Sequence, residues 1–369
     1  MFDYRQYEKL KNLTLVVPTY YRQNYALRLM NYWSGKGPNV IVLDGTNTPI
    51  DNDKISNLKN ISYHNLNSGF YERINKSLEM VNTRYVMLAG DDEFYLPSAL
   101  IKCMNELDKN KELVACCGCS IGFFPEKKYV RGIDVYMELI GYEINSSNPF
   151  ERIKKHMSNY AVNQIYAVCR ASDWIKIFKG ITNNREFSVF AIAEYQFEMC
   201  MSYAGKSKVL NELMWLRNMG ENEPIRGTDP SLCPILFEEW YANYKKNSNE
   251  INELIAITAS IFISLSNDMS RKYAMEIAKV GFDYFSEWNK NRKNKNLRIF
   301  NFFLNIITIM KIIPKSPIKK IYSKLKTLYY RINTKDEILS MASKMKTKNQ
   351  INYDCEELNA IIKIIELNK

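Results

Sequence analysis

At 369 residues the chain is long enough for one large domain and a smaller appendage around a real core. Its 46% hydrophobic and 25% charged residues exclude a disordered or fibrous protein and describe an ordinary folded one. The formal charge of +11 asks for an anionic partner, but no recognisable reader module accompanies it, which argues against nucleic acid.

Eight cysteines are irregularly placed. Cys116 and Cys119 have redox or zinc spacing, yet no second pair answers them and neither His64 nor His156 is near in sequence, so they read as core residues. An N-terminal stretch without a signal-peptide apolar core agrees with a reducing cytoplasm as the expected compartment.

In chain order, residues 13–17 form an apolar strand stopped by Pro18, and Thr19-Tyr20-Tyr21-Arg22 follows. Residues 25–33 place Leu27, Met30 and Trp33 at helical spacing. A second strand, 40–43, ends at Asp44-Gly45-Thr46, and 61–64 is a third, shorter one. Asn67-Ser68-Gly69 opens a helix with Phe70, Ile74, Leu78 and Val81 on one face. That helix feeds a strand, 85–89, which reaches Gly90 and stops at Asp91, Asp92 and Glu93.

Alternating strands and helices with acids at strand ends describe a nucleotide-binding α/β half-domain, because in an open sheet the carboxyl ends of the strands line the ligand crevice. Paired carboxylates there suit Mg²⁺ or Mn²⁺ bridging to nucleotide phosphates; a turn with solvated acids is the plainer alternative. Neither Gly-x-Gly-x-x-Gly nor a phosphate loop is present, so a dehydrogenase or an ordinary ATPase is not supported.

The segments Val17-Pro18-Thr19-Tyr20-Tyr21-Arg22, Val42-Leu43-Asp44-Gly45, Asn67-Ser68-Gly69 with Asn75, and Gly90-Asp91-Asp92-Glu93 match together in order and spacing. They resemble the GT-A fold of the family 2 inverting glycosyltransferases, and within it a bacterial surface-glycan sugar-transferase subgroup. The resemblance implies a Rossmann-like nucleotide-diphospho-sugar transferase domain over 1–246 with a C-terminal helical extension over 247–369. It implies that Pro18, Thr19, Tyr20, Arg22, Asn67 and Gly69 border the nucleotide, that Asp44 and Asp91 contact it, and that Asp91 and Asp92 hold the divalent metal, Mn²⁺ or Mg²⁺. Arg73 lies two residues before Asn75, where the family's arginine directly precedes it; it is a diphosphate contact or a surface arginine.

Beyond Glu93 the pattern predicts a helix, 96–107, and a cysteine-bearing strand, 113–124. Residues 126–190 are weakly patterned, with apolar-periodic stretches at 135–140 and 165–177 assigned to acceptor-side helices and loops. Ala193-Glu194-Tyr195 resembles the family's Glu-Asp-Tyr, which implies that Glu194 is the general base for the acceptor hydroxyl. An exposed acid at a helix N-terminus is the alternative, and Glu198, one turn on, is the fallback base. After a strand at 207–210 comes Trp215-Leu216-Arg217-Asn218. Many family members place a third metal ligand near here, often His; this chain has none, which leaves Asn218, Glu221 or water, with Arg217 as a counter-charge for the leaving diphosphate.

From 247 the pattern turns helical, with 250–266 and 271–288 reading as a hairpin. Residues 289–331 carry twelve Lys or Arg and no Asp or Glu, so the rest of the chain is near neutral. Within 297–313, Arg298, Asn301, Asn305, Thr308 and Lys311 make a polar stripe, and the run is too short and too charged to span a bilayer. Past Pro314 and Pro317, apolar residues Ile318, Ile321, Leu325 and Leu328 oppose Lys319, Lys320, Lys324 and Arg331. Such helices fit an anionic membrane interface or pack on their own protein.

The expected function is transfer of a sugar from a nucleotide-sugar donor, a UDP-sugar, to a glycan or lipid-linked acceptor in surface polysaccharide assembly, by inverting single displacement. The expected location is the cytoplasm or the inner face of the cell membrane, where residues 289–331 would meet anionic lipid. A sugar-phosphate or nucleotidyl transferase, and a non-catalytic scaffold for polysaccharide assembly, are the rival readings.

Overall fold

A computed structural model describes residues 4–126, 129–187, 189, 191–220, 236–266, 268–309 and 336–367, with side chains left aside over 4–6 and 293–309. The first half alternates as expected: β1 (Leu13–Thr19), α1 (Gln23–Trp33), β2 (Asn39–Asp44), β3 (Ile61–Asn65), α2 (Phe70–Leu78) and β4 (Tyr85–Leu88). Then follow β5 (Phe94–Tyr95), α3 (Pro97–Lys109), β6 (Leu113–Pro125), β7 (Val130–Asp134) and β8 (Glu143–Ile144). After α4 (Pro149–Ser158) come β9 (Val168–Arg170), α5 (Ala171–Thr182), α6 (Ile192–Ala204) and β10 (Lys206–Asn218).

The strands form one mixed sheet in the order β3-β2-β1-β4-β9-β6-β10-β5, with β7 on β6 and β8 on β10. Strands β1 to β4 are mutually parallel, and Thr19 pairs with Asp44, so the polar residues that end these strands arrive at one edge. Strand β9 runs antiparallel between β4 and β6, and β5 antiparallel beside β10. Strands β1, β2 and β4 are nearly continuous buried apolar runs, as the interior of a parallel sheet requires, while β3 at the sheet edge is mixed and only partly buried.

Four stretches depart from the sequence pattern. Pro18 does not stop β1, which pairs on through Pro18 and Thr19 with Leu43 and Asp44, since a proline this close to the strand's end forgoes only one amide donor. Strand β10 runs Lys206–Asn218, not just 207–210: Asn211 and Glu212 interrupt the alternation, and the register slips between Val209 and Leu213 and between Leu213 and Trp215 absorb them as bulges. The apolar stretch 165–177 is not one piece; it holds the end of a turn, β9 and half of α5. The stretch 135–140 yields only a short 3-10 turn, Met137–Leu139, entered through Tyr136 in a left-handed conformation (φ 52°).

The C-terminal helices α7 (Phe237–Ala242), α8 (Tyr244–Leu265), α9 (Arg271–Ile309), α10 (Ile338–Asn349) and α11 (Cys355–Leu367) share the core of the α/β body. Helix α9 runs through 288 without a break, so residues 289–309 belong to it, while 310–335, with the expected amphipathic segment 318–329, lie outside the described residues. Among the described residues no helix is long and apolar enough to cross a membrane.

The last helices return to the sheet. The Gly132 amide donates to the Asp336 carbonyl (2.9 Å) and the Leu213 amide to the Asn352 carbonyl (2.8 Å). Glu357 accepts from Tyr7 Oη (2.8 Å) and from Ser98 N and Oγ (3.0 and 2.7 Å). It thereby caps α3, which has no local side-chain cap, and ties the two ends of the chain together.

Candidate active site

The site begins where β1, β2 and β4 end. Asp44 is fully buried and its carboxylate is held by Gln23 Nε2 (2.7 Å), Tyr63 Oη (2.6 Å) and the Thr46 amide (2.8 Å). Asp91 and Asp92 are also buried; Thr19 Oγ1 donates to Asp91 Oδ2 (2.7 Å). Arg22 Nη2 stands 3.3 Å from Asp91 Oδ1 and against Asp92 Oδ2, while Arg28 Nη2 donates to the Asp92 carbonyl (2.9 Å). Burial pushes Asp91 up to about 6, with Arg22 opposing and Asp92 adding to the rise. Thr19, Arg22, Asp44, Asp91 and Asp92 therefore converge.

Arg73 is no surface arginine. It is buried, donates through Nη1 to the carbonyls of Thr19 (2.6 Å) and Leu43 (3.0 Å), and so staples the ends of β1 and β2. Tyr20 faces it, and Gly45 leaves the room: a Cβ there would lie 2.9 Å from Arg73 Cζ. The Nε atoms of Arg22, Arg28 and Arg73 are buried and without a hydrogen-bond partner.

Asn67 and Gly69 are exposed at the start of α2. Glu186, which the sequence reading passed over, reaches this helix end from the segment after α5. It accepts the Tyr71 amide, and a Cβ on Gly69 would lie 2.9 Å from its Oε2. The chain's own carboxylate thus fills an N-terminus that attracts anions.

Glu93, the third acid, turns inward. Its Oε2 accepts from Tyr95 Oη and Trp215 Nε1, both at 2.8 Å, and Arg217 Nε lies 3.9 Å from its Oε1. Burial lifts Glu93 to about 7, against the pull of Arg217. Arg217 rests over Tyr136 (5.0 Å to the ring centroid), and Tyr166 packs on Trp215 (5.1 Å between centroids). Asn218 accepts the Gly220 amide (3.0 Å), and Glu221 lies outside the described residues.

Glu194 sits in the first turn of α6. Its Oε1 accepts from Tyr160 Oη (2.7 Å), and its Oε2 has no partner among the described residues. Burial raises it to about 7, with the Tyr160 hydrogen bond opposing and Glu198 adding to the rise. Tyr160 in turn packs on Tyr195 and on Phe285 and Trp288 of α9, so the C-terminal helices wall this carboxylate. The fallback, Glu198, is a structural residue. Fully buried, it accepts the amides of Asn163 (3.1 Å), Gln164 (3.0 Å) and Ile165 (3.0 Å), and His156 Nε2 lies 2.9 Å away. Its oxygens are already engaged.

Two adjacent hard-oxygen side chains fit Mg²⁺ or Mn²⁺, ions that take one or two carboxylates and fill their shell from phosphates and water. The Arg22 guanidinium between them shows that the position accepts positive charge. Among the described residues no third His, Cys, Asp or Glu completes a cluster of three.

A mixed sheet whose parallel half ends in a buried acid, a hydroxyl and a paired-acid turn defines the GT-A class of Rossmann-like α/β domains. Residues 14–171 match the model of Glycosyl transferase family 2. Glu194 lies beyond the matched residues. No curated protein matches the chain by sequence.

Among solved structures, the chain is similar to TarS 1–349 of S. aureus in complex with UDP-GlcNAc, at 13% identity over 77% of this chain and 92% of that one, with a TM-score of 0.44. It is similar to the same fragment in complex with UDP at 12% identity over 77% and 91%, TM-score 0.40. In another TarS structure the match covers 72% of this chain but only 42% of that one, at 13% identity and a TM-score of 0.42.

Proposed function

We propose that this glycosyltransferase moves a sugar from a UDP-sugar to a glycan or lipid-linked acceptor of surface polysaccharide assembly, by a single displacement that inverts the anomeric centre. The observation that carries the reading is a set of buried donors without partners: Nε of Arg22 and Arg28 beside the paired acids Asp91 and Asp92, and Nε of Arg73, whose Nη1 is bonded to the carbonyl of Thr19, the residue that donates to Asp91. A buried unpartnered guanidinium N–H is costly, and a diphosphate is the anion that several of them together suit.

On this reading Asp44, Thr19 and Tyr20 border the nucleoside, with Pro18 shaping the strand end and Asn67 and Gly69 lining the far side. Asp91 and Asp92 would hold the divalent ion, which when bound neutralises charge on the leaving diphosphate. Glu194 takes the acceptor hydroxyl's proton at Oε2 as the oxygen attacks, and Tyr160 steadies the carboxylate from its other oxygen. The protein acts at the inner face of the cell membrane, with residues 289–331 against anionic lipid; their charge of twelve Lys or Arg and no acid supports this.

Transfer assays on Asp91→Asn, Asp92→Asn and Glu194→Gln test the assignment, with analysis of the nucleotide released. The expected product is UDP, and each variant should lose at least about a hundredfold in rate. Release of UMP or pyrophosphate, or transfer at the wild-type rate by all three variants, would refute it.

A further inference from the structure

The turn before β9 is fastened to the helix that carries Glu194. The amides of Asn163, Gln164 and Ile165 all donate to Glu198, which is one helical turn after Glu194 on α6. Gln164 Nε2 adds bonds to the Glu198 carbonyl (3.3 Å) and Ser202 Oγ (2.7 Å). The next residue is Tyr166. Its backbone position is therefore set relative to Glu194 by a buried, fully engaged carboxylate.

On its other side Tyr166 leans on Trp215, whose indole N–H is bonded to Glu93, the third acid of the turn at the end of β4. Tyr166 thus stands between the candidate base and the acid turn, with Glu194, Glu93, Asp92 and Glu198 all acting on its phenol. Burial first, and these carboxylates second, push the phenol well above its ordinary range, so it remains an O–H donor at every working pH. It is half-buried, and its hydroxyl has no hydrogen-bond partner among the described residues.

We infer that Tyr166 is a substrate-contacting residue, which donates its hydroxyl to the sugar of the nucleotide-sugar donor. The assignment rests on the function proposed above. In a displacement, the group between the base and the metal-diphosphate end is the hexose being transferred. A tyrosine offers that ring an apolar face and one hydrogen bond, a pairing that fits a polyol with both C–H and O–H edges. The phenol donates to the sugar and not to the nucleotide, so its loss should be invisible to UDP.

The test compares wild type with Tyr166→Phe, which removes one oxygen and keeps the packing on Trp215. Calorimetry is done with UDP and with a panel of UDP-hexoses and UDP-N-acetylhexosamines, and donor KM and kcat are measured with the panel member that wild type turns over. Expected is UDP affinity within about twofold of wild type, with a three- to twelvefold loss in kcat/KM for the donor, the range of one neutral hydrogen bond. Tyr166→Phe that matches wild type toward every UDP-sugar overturns the assignment, as does a loss toward UDP equal to that toward the UDP-sugar. Wild-type protein that binds neither UDP nor any UDP-sugar overturns the parent reading, and this one with it.

Discussion

Arg22 Nη2 lies 3.3 Å from Asp91 Oδ1 and touches Asp92 with the same nitrogen, so one guanidinium occupies the charge position between the two acids that a divalent ion would take. Cation and guanidinium contend for the same oxygens unless a diphosphate draws Arg22 away. Arg22→Gln is therefore expected to bind Mn²⁺ about tenfold more tightly than wild type without nucleotide, near pH 8 where Asp91 is ionised. The same variant should bind UDP more weakly. Titration calorimetry with each ligand alone gives both numbers; unchanged or weaker Mn²⁺ binding would mean that Arg22 does not stand in the ion's place.

If Glu194, raised to about 7, is the base proposed above, it sets the pH dependence of transfer. As a base it must be ionised, so transfer should climb about tenfold from pH 6 to pH 8 as its charged fraction grows. Tyr160 stabilises the ionised form, and Tyr160→Phe should move that climb to higher pH. Folding runs the other way. A carboxyl raised from 4.5 in the unfolded chain to about 7 when folded favours the fold below the lower value and loses that contribution as pH rises through the upper one. Glu194→Gln should accordingly melt higher than wild type at pH 8 and about level with it at pH 4, while transfer falls away.

Glu198 should behave in the opposite sense, although it is also a glutamate on α6. Three buried amides lose their acceptor in Glu198→Ala, and each orphaned donor costs about 1–3 kcal/mol. The expected result is a loss of at least about 3 kcal/mol in denaturant unfolding, or no folded protein at all. If Glu198→Ala melted like wild type but lost transfer, the roles of the two acids would be reversed.

The ends of β2 and β4 were legible because each is a break in a simple pattern, an apolar run that stops at Asp44 or just before Asp91, whereas Pro18 reads as the stop of β1 although the strand pairs on through Pro18 and Thr19. Helical periodicity likewise gave α1, α2 and α3 close to their bounds. Residues that act through distant contacts left no such mark. Glu186 over Gly69, Glu357 on Ser98, and Tyr166 between α6 and Trp215 are brought together by tertiary packing, and local spacing carries no signal of it. Arg73 was found, but its work on the Thr19 and Leu43 carbonyls was not, because a buried arginine that ties two strands looks in sequence like any helix arginine. Strand β10 was cut short by Asn211 and Glu212, polar residues that a bulge can hold at the edge of an otherwise apolar run.

The membrane reading of residues 289–331 is best tested by changing charge, and removal of the C-terminus would mislead. Deleting 289–369 also deletes α10 and α11, whose Ile338, Leu358, Ile361 and Ile365 are core residues and whose Glu357 caps α3. Such a protein loses the fold's closing contacts along with its positive charge, and failure to bind vesicles would say nothing about lipid. Replacing Lys315, Lys319, Lys320 and Lys324 with Gln keeps those helices and removes four charges. At about 1 kcal/mol for each basic residue near anionic lipid, sedimentation with phosphatidylserine-containing vesicles should weaken by roughly a thousandfold at low salt. Raising salt should release the wild-type protein as screening shortens the reach of its charges. Equal sedimentation of wild type and the four-fold variant, or binding indifferent to salt, would mean that this positive stretch serves some surface other than a membrane.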